Sequence, residues 1–597
     1  SFQLLVPGEA LWHNRNPHMA TPVVFHTIIT PTHQARVAPV LDRLAKQRVV
    51  ERIWDKDAGL WSQDPTVQRA IRNRLGWLSI APVMEARVEE ILGEATRVKD
   101  AGLTRALLLG MGGSSLFADV CRYTFGVAPG WLDLAVLDST DPRAITDAAQ
   151  RAPLARTLII VSSKSGATTE SNSLGDYFYD QFRTMQGERA GEHCLAITDA
   201  GTPLETLAAQ RGFRRAFVHG PTTGQDVGGR FSALTCFGLV PAALMGVDIR
   251  QLLARAQEML AGCAPTVPLA DNPAAQLGAC LGEAAASGRD KLTLLCAKPL
   301  ARLGVWVEQL VAESTGKSGQ GLIPIDGEPL QDAAAYGSDR LFVELQLATE
   351  PDAALAGAVE ALIKAGLPVV RLQWRDRYDL GAEVIRWFLA TAVAGWLMQI
   401  NPFDELNVQE SKDRTNALLA RYAREGGLAD EPPLFTDQLI HVYGDPGQTA
   451  GRSLDEALQH WLKQIRPGDY VAVASFLPRT PALDETARVL RRRLAQVTGA
   501  ATMLGFGPRY LHSTGQLHKG GPDRVVLLFL TAEDALDVAI PGKPYPFSVL
   551  KQAQALGDYQ ALRERRRRML RLHLGQAPDA GLDRLLSLLQ PRPVISF

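Results

Sequence analysis

A chain of 597 residues is long enough for three or four domains, each with its own core. Its hydrophobic content of 46% is that of a soluble globular protein, and 63 basic against 64 acidic residues leave a formal net charge of -1. That balance excludes a global attraction for nucleic acid or an anionic membrane surface, so any preference for an acidic ligand must be local.

Residues 1–75 carry proline and histidine early and then an amphipathic pattern, Val40, Leu41, Leu44 and Ala45 through Val49, Val50, Ile53 and Trp54, at helical spacing. The pattern predicts an N-terminal arm and a helix packing on the first domain. The opening residues lack the basic region and apolar core of a signal peptide. Apolar runs at 231–245 and 387–400 are too short to span a bilayer and are expected as buried helices.

Over 76–244 the pattern alternates strand, turn and helix, with apolar runs at 106–109, 134–138, 156–161, 194–197 and 215–218, which predicts a doubly wound parallel sheet. The run ending at Val161 delivers Ser162-Ser163-Lys164-Ser165-Gly166-Ala167-Thr168-Thr169-Glu170. Ser163, Ser165 and Thr168 offer hydroxyls, Lys164 a charge, Gly166 a permissive backbone and the following helix its positive end, a set suited to a phosphate dianion. Gly112-Gly113-Ser114, after the first strand, suits either close backbone approach to a ligand or a tight packing turn. Arg230, in Gly228-Gly229-Arg230-Phe231-Ser232, suits either substrate oxygens or a helix-start ion pair.

A second α/β domain is expected over 245–428, with strands at 291–295, 341–345 and 369–372. A helix at 303–311 leads to Glu313-Ser314-Thr315-Gly316-Lys317, where Glu313 is either a buried general base or the partner of a lysine. The segment 400–412 closes this domain and places Lys412 on a helix. Beyond Pro432-Pro433 the composition restarts as a C-terminal α/β domain over 429–597, with strands at 439–443, 470–474, 525–530 and 569–574 and helices at 454–465 and 483–497. The basic run 565–568 is expected as a solvated helix end, since nucleic-acid binding would want interleaved aromatics. A dense polar cluster at 507–522 holds His512 and His518, without a third ligand at metal-binding spacing. The six cysteines form no C-x-x-C pair, which predicts reduced structural thiols, no zinc and a cytoplasmic setting.

In order, Gly-Gly-Ser, Ser-Lys-Ser-Gly-x-Thr-Thr-Glu, Gly-Gly-Arg-Phe-Ser, Glu-Ser-x-Gly-Lys and Asn-Pro-Phe-Asp resemble the glucose-6-phosphate isomerase family over about 70–425. The remainder is similar to the extra domain of the isomerase half of bifunctional transaldolase–isomerase proteins. The residues before 75 are too few for a transaldolase barrel, so that activity is expected to be absent. The resemblance implies two sugar-isomerase (SIS) domains plus the C-terminal domain, interconversion of glucose 6-phosphate and fructose 6-phosphate without cofactor or metal, and a homodimer with shared sites. Its alternatives are action on mannose 6-phosphate and a non-catalytic sugar-phosphate-binding role. Matched residue by residue, it implies phosphate and sugar contacts from Gly113, Ser114, Ser163, Lys164, Ser165 and Thr168, an enediolate-stabilising Arg230, the pair Gln309 and Glu313 with Glu313 as base, and a functional Lys412. Two departures stand out. Glu405 replaces a glutamine of the closing motif, and the ring-opening histidine expected soon after Glu313 is missing. Leu511-His512-Ser513-Thr514-Gly515-Gln516 reproduces that missing loop some two hundred positions later, so the C-terminal domain is expected to fold over the cleft and supply His512 in cis or in trans.

Overall fold

The computed structural model describes residues 25–589 except 26, 152, 221–225, 429–430 and 446–450. A short strand, β1 (Thr27–Ile29), comes first, followed by three sheets, each the centre of its own α/β layer structure.

The first sheet is built from β2 (Arg105–Leu109), β3 (Asp133–Leu137), β4 (Thr157–Ser162), β5 (Cys194–Asp199) and β6 (Arg215–His219) in the order β3-β2-β4-β5-β6, all parallel. The β-branched run of β4 is buried at all six positions, as a strand covered by helices on both faces requires. In this winding the chain reverses direction of growth between β2 and β4, and ligands of open α/β sheets bind at the carboxyl ends of the strands flanking that point. Those ends carry the Gly112-Gly113-Ser114 and Ser163–Thr168 turns.

The second sheet repeats the winding with β7 (Lys291–Cys296), β8 (Ile323–Ile325), β9 (Arg340–Leu347) and β10 (Val369–Trp374), ordered β8-β7-β9-β10. The edge of β10 is closed by β1, paired antiparallel to it, and the Pro31–Lys46 helix lies against the Pro273–Ala286 helix, where Arg36 donates to Glu283 at 2.6 Å. The N-terminal helix therefore packs on the second domain, not the first as expected. Its periodicity reveals an apolar face but not the surface that covers it, whereas an open sheet edge gains ladder hydrogen bonds when the arm pairs with it. The Asp379–Leu397 helix is long and apolar enough to cross a membrane, yet 89% of its apolar window is buried inside the protein, where Trp387 and Phe388 anchor the core between the first two domains.

The third sheet comprises β11 (Phe435–Asp437), β12 (Ile440–Tyr443), β13 (Tyr470–Phe476), β14 (Ala501–Phe506), β15 (Val525–Thr531) and β16 (Arg568–His573), ordered β11-β12-β16-β15-β13-β14, with β11 and β12 antiparallel at one edge. Its Phe547–Glu564 helix packs against the Val408–Glu425 helix and the Thr169–Gln186 helix of the first domain. Phe547, Leu550 and Ala553 share one apolar core with Leu418, Leu419, Leu174 and Phe178. Full burial of Phe547 and Leu550 contributes roughly 1.5–3 kcal/mol each.

The arginine run 565–568 is a solvated helix end only in its first half, where Arg565 and Arg566 are exposed just past the Phe547–Glu564 helix. Arg567 and Arg568 are buried: Arg567 donates to the carbonyls of Lys519 and Gly521 at 2.8 Å, and Arg568 pairs with Asp469. Backbone carbonyls left open where the short Gly515–Gly520 helix ends supply the acceptors that charge counting along the sequence does not reveal. All six cysteines are unpaired, five of them buried.

Candidate active site

The turn after β4 is shaped by Gly166. Its φ of +64° places it in the left-handed region, and a Cβ there would lie 2.6 Å from Cβ of Thr202. The turn ends at Thr168, the N-cap of the Thr169–Gln186 helix, and Ser163 Oγ donates to Thr168 Oγ1 at 2.9 Å. Ser165 is exposed and Thr168 half-buried at the positive end of an 18-residue helix, the geometry of an anion site. Lys164, expected to face the phosphate, points elsewhere: its ammonium is held by Asp199 and by Asp226 at 2.9 Å. A half-buried lysine between two carboxylates gains more from them than from a ligand that comes and goes.

Gly113 resolves the alternatives left open for its turn. A Cβ on it would sit 1.9 Å from the carbonyl oxygen of Gly229, so the Gly112–Ser114 turn and the Gly229–Phe231 turn interlock backbone to backbone. Ser114 is buried and its carbonyl accepts from Ser162 Oγ at 2.7 Å. This contact delivers Arg230 to the centre of the molecule.

Arg230 is buried and each nitrogen of its guanidinium is hydrogen-bonded. Nε donates to Ser314 Oγ at 2.7 Å, Nη1 to Glu405 at 2.9 Å, and Nη2 to the carbonyls of Pro402 and Asp404 at 2.6 and 2.9 Å. Nη1 also lies 3.6 Å from Oε2 of Glu313. Glu313 sits in the last turn of the Leu303–Thr315 helix and is 7% exposed. Burial pushes its carboxyl up to about 7, against the opposing pull of Arg230 and with the help of the like charge of Glu405. Lys317, the lysine that the sequence offers as a partner for Glu313, is held by Asp404 and the carbonyl of Asn401; burial and Arg230 lower it to about 8.

Gln309 lies one helical turn before Glu313, with Nε2 3.5 Å from the Glu313 carboxylate and 2.8 Å from the carbonyl of His512. The third domain thus reaches this centre through the short Arg509–His512 turn that follows β14. Gly112, at φ +53°, leaves room for the contact, since a Cβ there would lie 2.8 Å from the His512 carbonyl. The imidazole of His512 extends across to the first domain, where Nε2 lies 2.8 Å from Oε1 of Glu170. An ionised carboxylate only accepts, so Nε2 carries the proton and Nδ1 is the basic nitrogen. Burial raises the Glu170 carboxyl, but His512 and Lys412 outweigh it and hold it below its usual value.

A cavity of about 340 Å³ opens beside this pair, walled by Ser165, Thr168, Glu170, Lys412, His512 and Gln554 among others. Lys412, exposed on the Val408–Glu425 helix, forms no ion pair among the described residues and presents its charge at this wall. The structure therefore brings together Ser165, Thr168, Lys412 and His512 around the cavity. Glu313, Gln309 and Arg230 form the adjoining buried cluster. His518 is apart from both: it is buried, its Nδ1 is 3.0 Å from Tyr470 Oη, and burial lowers it to about 3, so it stays neutral.

Two residues of the site escape the sequence. Glu170 stands in the turn motif, and a carboxylate in the first turn of a helix meant for an anion is a signal that a cation must face it. Gln554 gives no such signal, as it meets Glu170 across 384 positions of chain.

No protein-family model matches the chain. Over 389 residues it is 34% identical to the glucose-6-phosphate isomerase of Cyanothece sp. strain PCC 7425, an alignment covering 58% of this chain and 72% of that one. Over 359 residues it is 31% identical to the glucose-6-phosphate isomerase of Synechococcus sp. strain JA-3-3Ab, covering 53% of this chain. The chain spans just under two thirds, 66%, of that second relative's length. Among solved structures, a hypothetical protein from Thermus thermophilus superposes with a TM-score of 0.56 at 22% identity, over 66% of this chain and 100% of that one, and shares its fold.

Proposed function

The chain belongs to the glucose-6-phosphate isomerase family, and from that premise we propose that it interconverts glucose 6-phosphate and fructose 6-phosphate through an enediolate. The observation that carries this is the Glu313 carboxylate, buried beside Arg230 and joined through Gln309 to the turn that holds His512. The sugar phosphate binds with its phosphate at the N-terminal end of the Thr169–Gln186 helix, against Ser165, Thr168 and Lys412, and so contributes binding energy remote from the reacting carbons.

Ring opening moves a proton from the C1 hydroxyl and delivers one to the ring oxygen. Nδ1 of His512 takes and returns that proton, while Nε2–H stays on Glu170, which steadies the imidazolium as it forms. In the open chain Glu313 removes hydrogen from C2 as a proton; the C2–H pair becomes the C1–C2 double bond and the carbonyl oxygen gains negative charge. The same carboxyl returns the proton to C1, where the double-bond pair forms the new C–H bond, while the C2 hydroxyl gives up its proton and the C1 oxygen gains one, which leaves the ketone at C2. A base with a pKa near 7 is matched to that two-way transfer, because it is ionised for a good part of its time and still a competent acid once protonated. Arg230, held in place by Ser314, Glu405 and the carbonyls of Pro402 and Asp404, stabilises the enediolate through its fixed charge in a dry site.

The test is Glu313→Gln followed by exchange of the C2 proton of glucose 6-phosphate with solvent. Exchange is expected to vanish while sugar-phosphate binding is retained; exchange at the wild-type rate would remove Glu313 from the role of base.

A further inference from the structure

Gln554 lies on the Phe547–Glu564 helix of the third domain, 3% exposed, and its amide is held on both sides. Thr140 Oγ1 donates to its Oε1 at 2.7 Å, and its Nε2 donates to Oε1 of Glu170 at 2.7 Å. The amide orientation is fixed by chemistry, since an ionised carboxylate accepts only and must face the NH2 group. The oxygen of Glu170 that receives Gln554 is the same one that receives Nε2 of His512 at 2.8 Å. The two donors come from the third domain, and the acceptor belongs to the first.

Resting on the isomerase reading above, we infer that Gln554 is a positioning residue for ring opening: its amide keeps Glu170 ionised and oriented so that the His512 proton stays on Nε2 and Nδ1 faces the sugar. Glu170 is 6% exposed, and burial alone favours its neutral acid. The groups that oppose burial are few. They are His512 from the Arg509–His512 turn, Lys412 from the Val408–Glu425 helix and the backbone N–H of Glu170 itself, and to the same carboxylate oxygen the amide of Gln554 donates at 2.7 Å. Without Gln554, a protonated Glu170 offers an O–H to His512, the imidazole proton moves to Nδ1, and the lone pair that must take the sugar proton is lost. The third domain therefore brings both the histidine and the group that sets its tautomer.

Ring opening can be read apart from isomerisation, because interconversion of the two anomers of glucose 6-phosphate requires opening and closing the ring but moves no hydrogen from carbon. Catalysed anomer exchange, followed by NMR across pH, is compared for the wild type, Gln554→Leu and Thr140→Val, the last leaving Gln554 in place with its amide free to turn. Expected for Gln554→Leu is a fall of roughly tenfold or more, part of the 10²–10⁴ that a placed acid–base group supplies, and an acidic limb moved up by about one pH unit. Thr140→Val moves it in the same direction by less, and KM is unchanged in both variants. A packing role alone would lower activity and leave the limb in place. If both variants keep the wild-type limb and exchange rate while the wild type isomerises, the inference on Gln554 falls alone. A wild type that neither exchanges anomers nor isomerises would overturn the isomerase reading and this inference with it.

Discussion

Glu313 works by being uncomfortable. Its carboxyl ionises near 7 in the folded chain against a usual 4.5, so the sign of its effect on stability follows directly. Below pH 4.5 it is neutral in both states and has no effect. Between 4.5 and 7 the unfolded chain releases the proton first, and above 7 the folded state carries the full penalty, at most about 3 kcal/mol for a shift of this size. Glu313→Gln is therefore expected to be inactive yet more stable than the wild type at pH 8, with the gain absent at pH 4; urea unfolding at the two values checks it. Glu405 belongs to the same balance. It shares Arg230 with Glu313 and raises the Glu313 pKa by its own charge, a consequence of the one change in the closing motif that the sequence exposes. Glu405→Gln should lower that pKa, moving the acidic limb of kcat/KM below its wild-type position; a limb that stays or rises would mean that Glu405 acts through the placement of Arg230 instead.

Two devices set the elements around these residues. The first is backbone contact: with its missing Cβ 1.9 Å from the Gly229 carbonyl, Gly113 cannot become alanine unless the two turns part, and Arg230 moves with them. The second is a buried clamp at Asp558, which accepts from Lys519 and Tyr510 at 2.6 Å and from Ser411 at 2.9 Å. Tyr510 and Lys519 bracket His512 in sequence and Ser411 adjoins Lys412, so one carboxylate ties the histidine turn to the lysine helix. Asp558→Ala strands the Lys519 charge at 1% exposure and is expected to destabilise the fold by about 3–5 kcal/mol, read as a lower urea midpoint. The elements themselves were largely legible. Runs such as 157–162 and 525–531 are long, apolar and β-branched, and the turns that follow them are dense in polar groups. β1 and β8 were not, because three residues cannot establish a period; their pairing partners, far along the chain, decide them.

At the scale of the whole molecule, the motifs for Glu313, Arg230 and the helix-end anion site were readable because each is a short stretch whose chemistry is local. What lay beyond reading was which surfaces meet: that Lys164 would be claimed by Asp199 and Asp226, that the N-terminal helix would settle on the second domain, and that Gln554 would reach Glu170. His512 lies between these cases, since its loop is recognisable but its address in space is set by the packing of the third domain on the first two. In the structure that packing is within one chain: Gln309 binds the His512 carbonyl, Glu170 binds its imidazole, and the Asp558 clamp and the apolar core around Leu550 secure the domain that carries it. A site assembled in this way has consequences for mixed assemblies. If the chain forms the homodimer that its resemblance implies, each subunit still holds its own base and its own histidine. Co-refolding Glu313→Gln with His512→Ala is then expected to yield no more isomerase activity than the two variants separately. A site that exchanged these residues between subunits would instead regain activity in mixed dimers, where one cleft receives both intact groups. Recovery of roughly a quarter of the wild-type rate, the share expected when half the chains pair with the other kind and one of two sites is whole, would show that the histidine crosses between subunits.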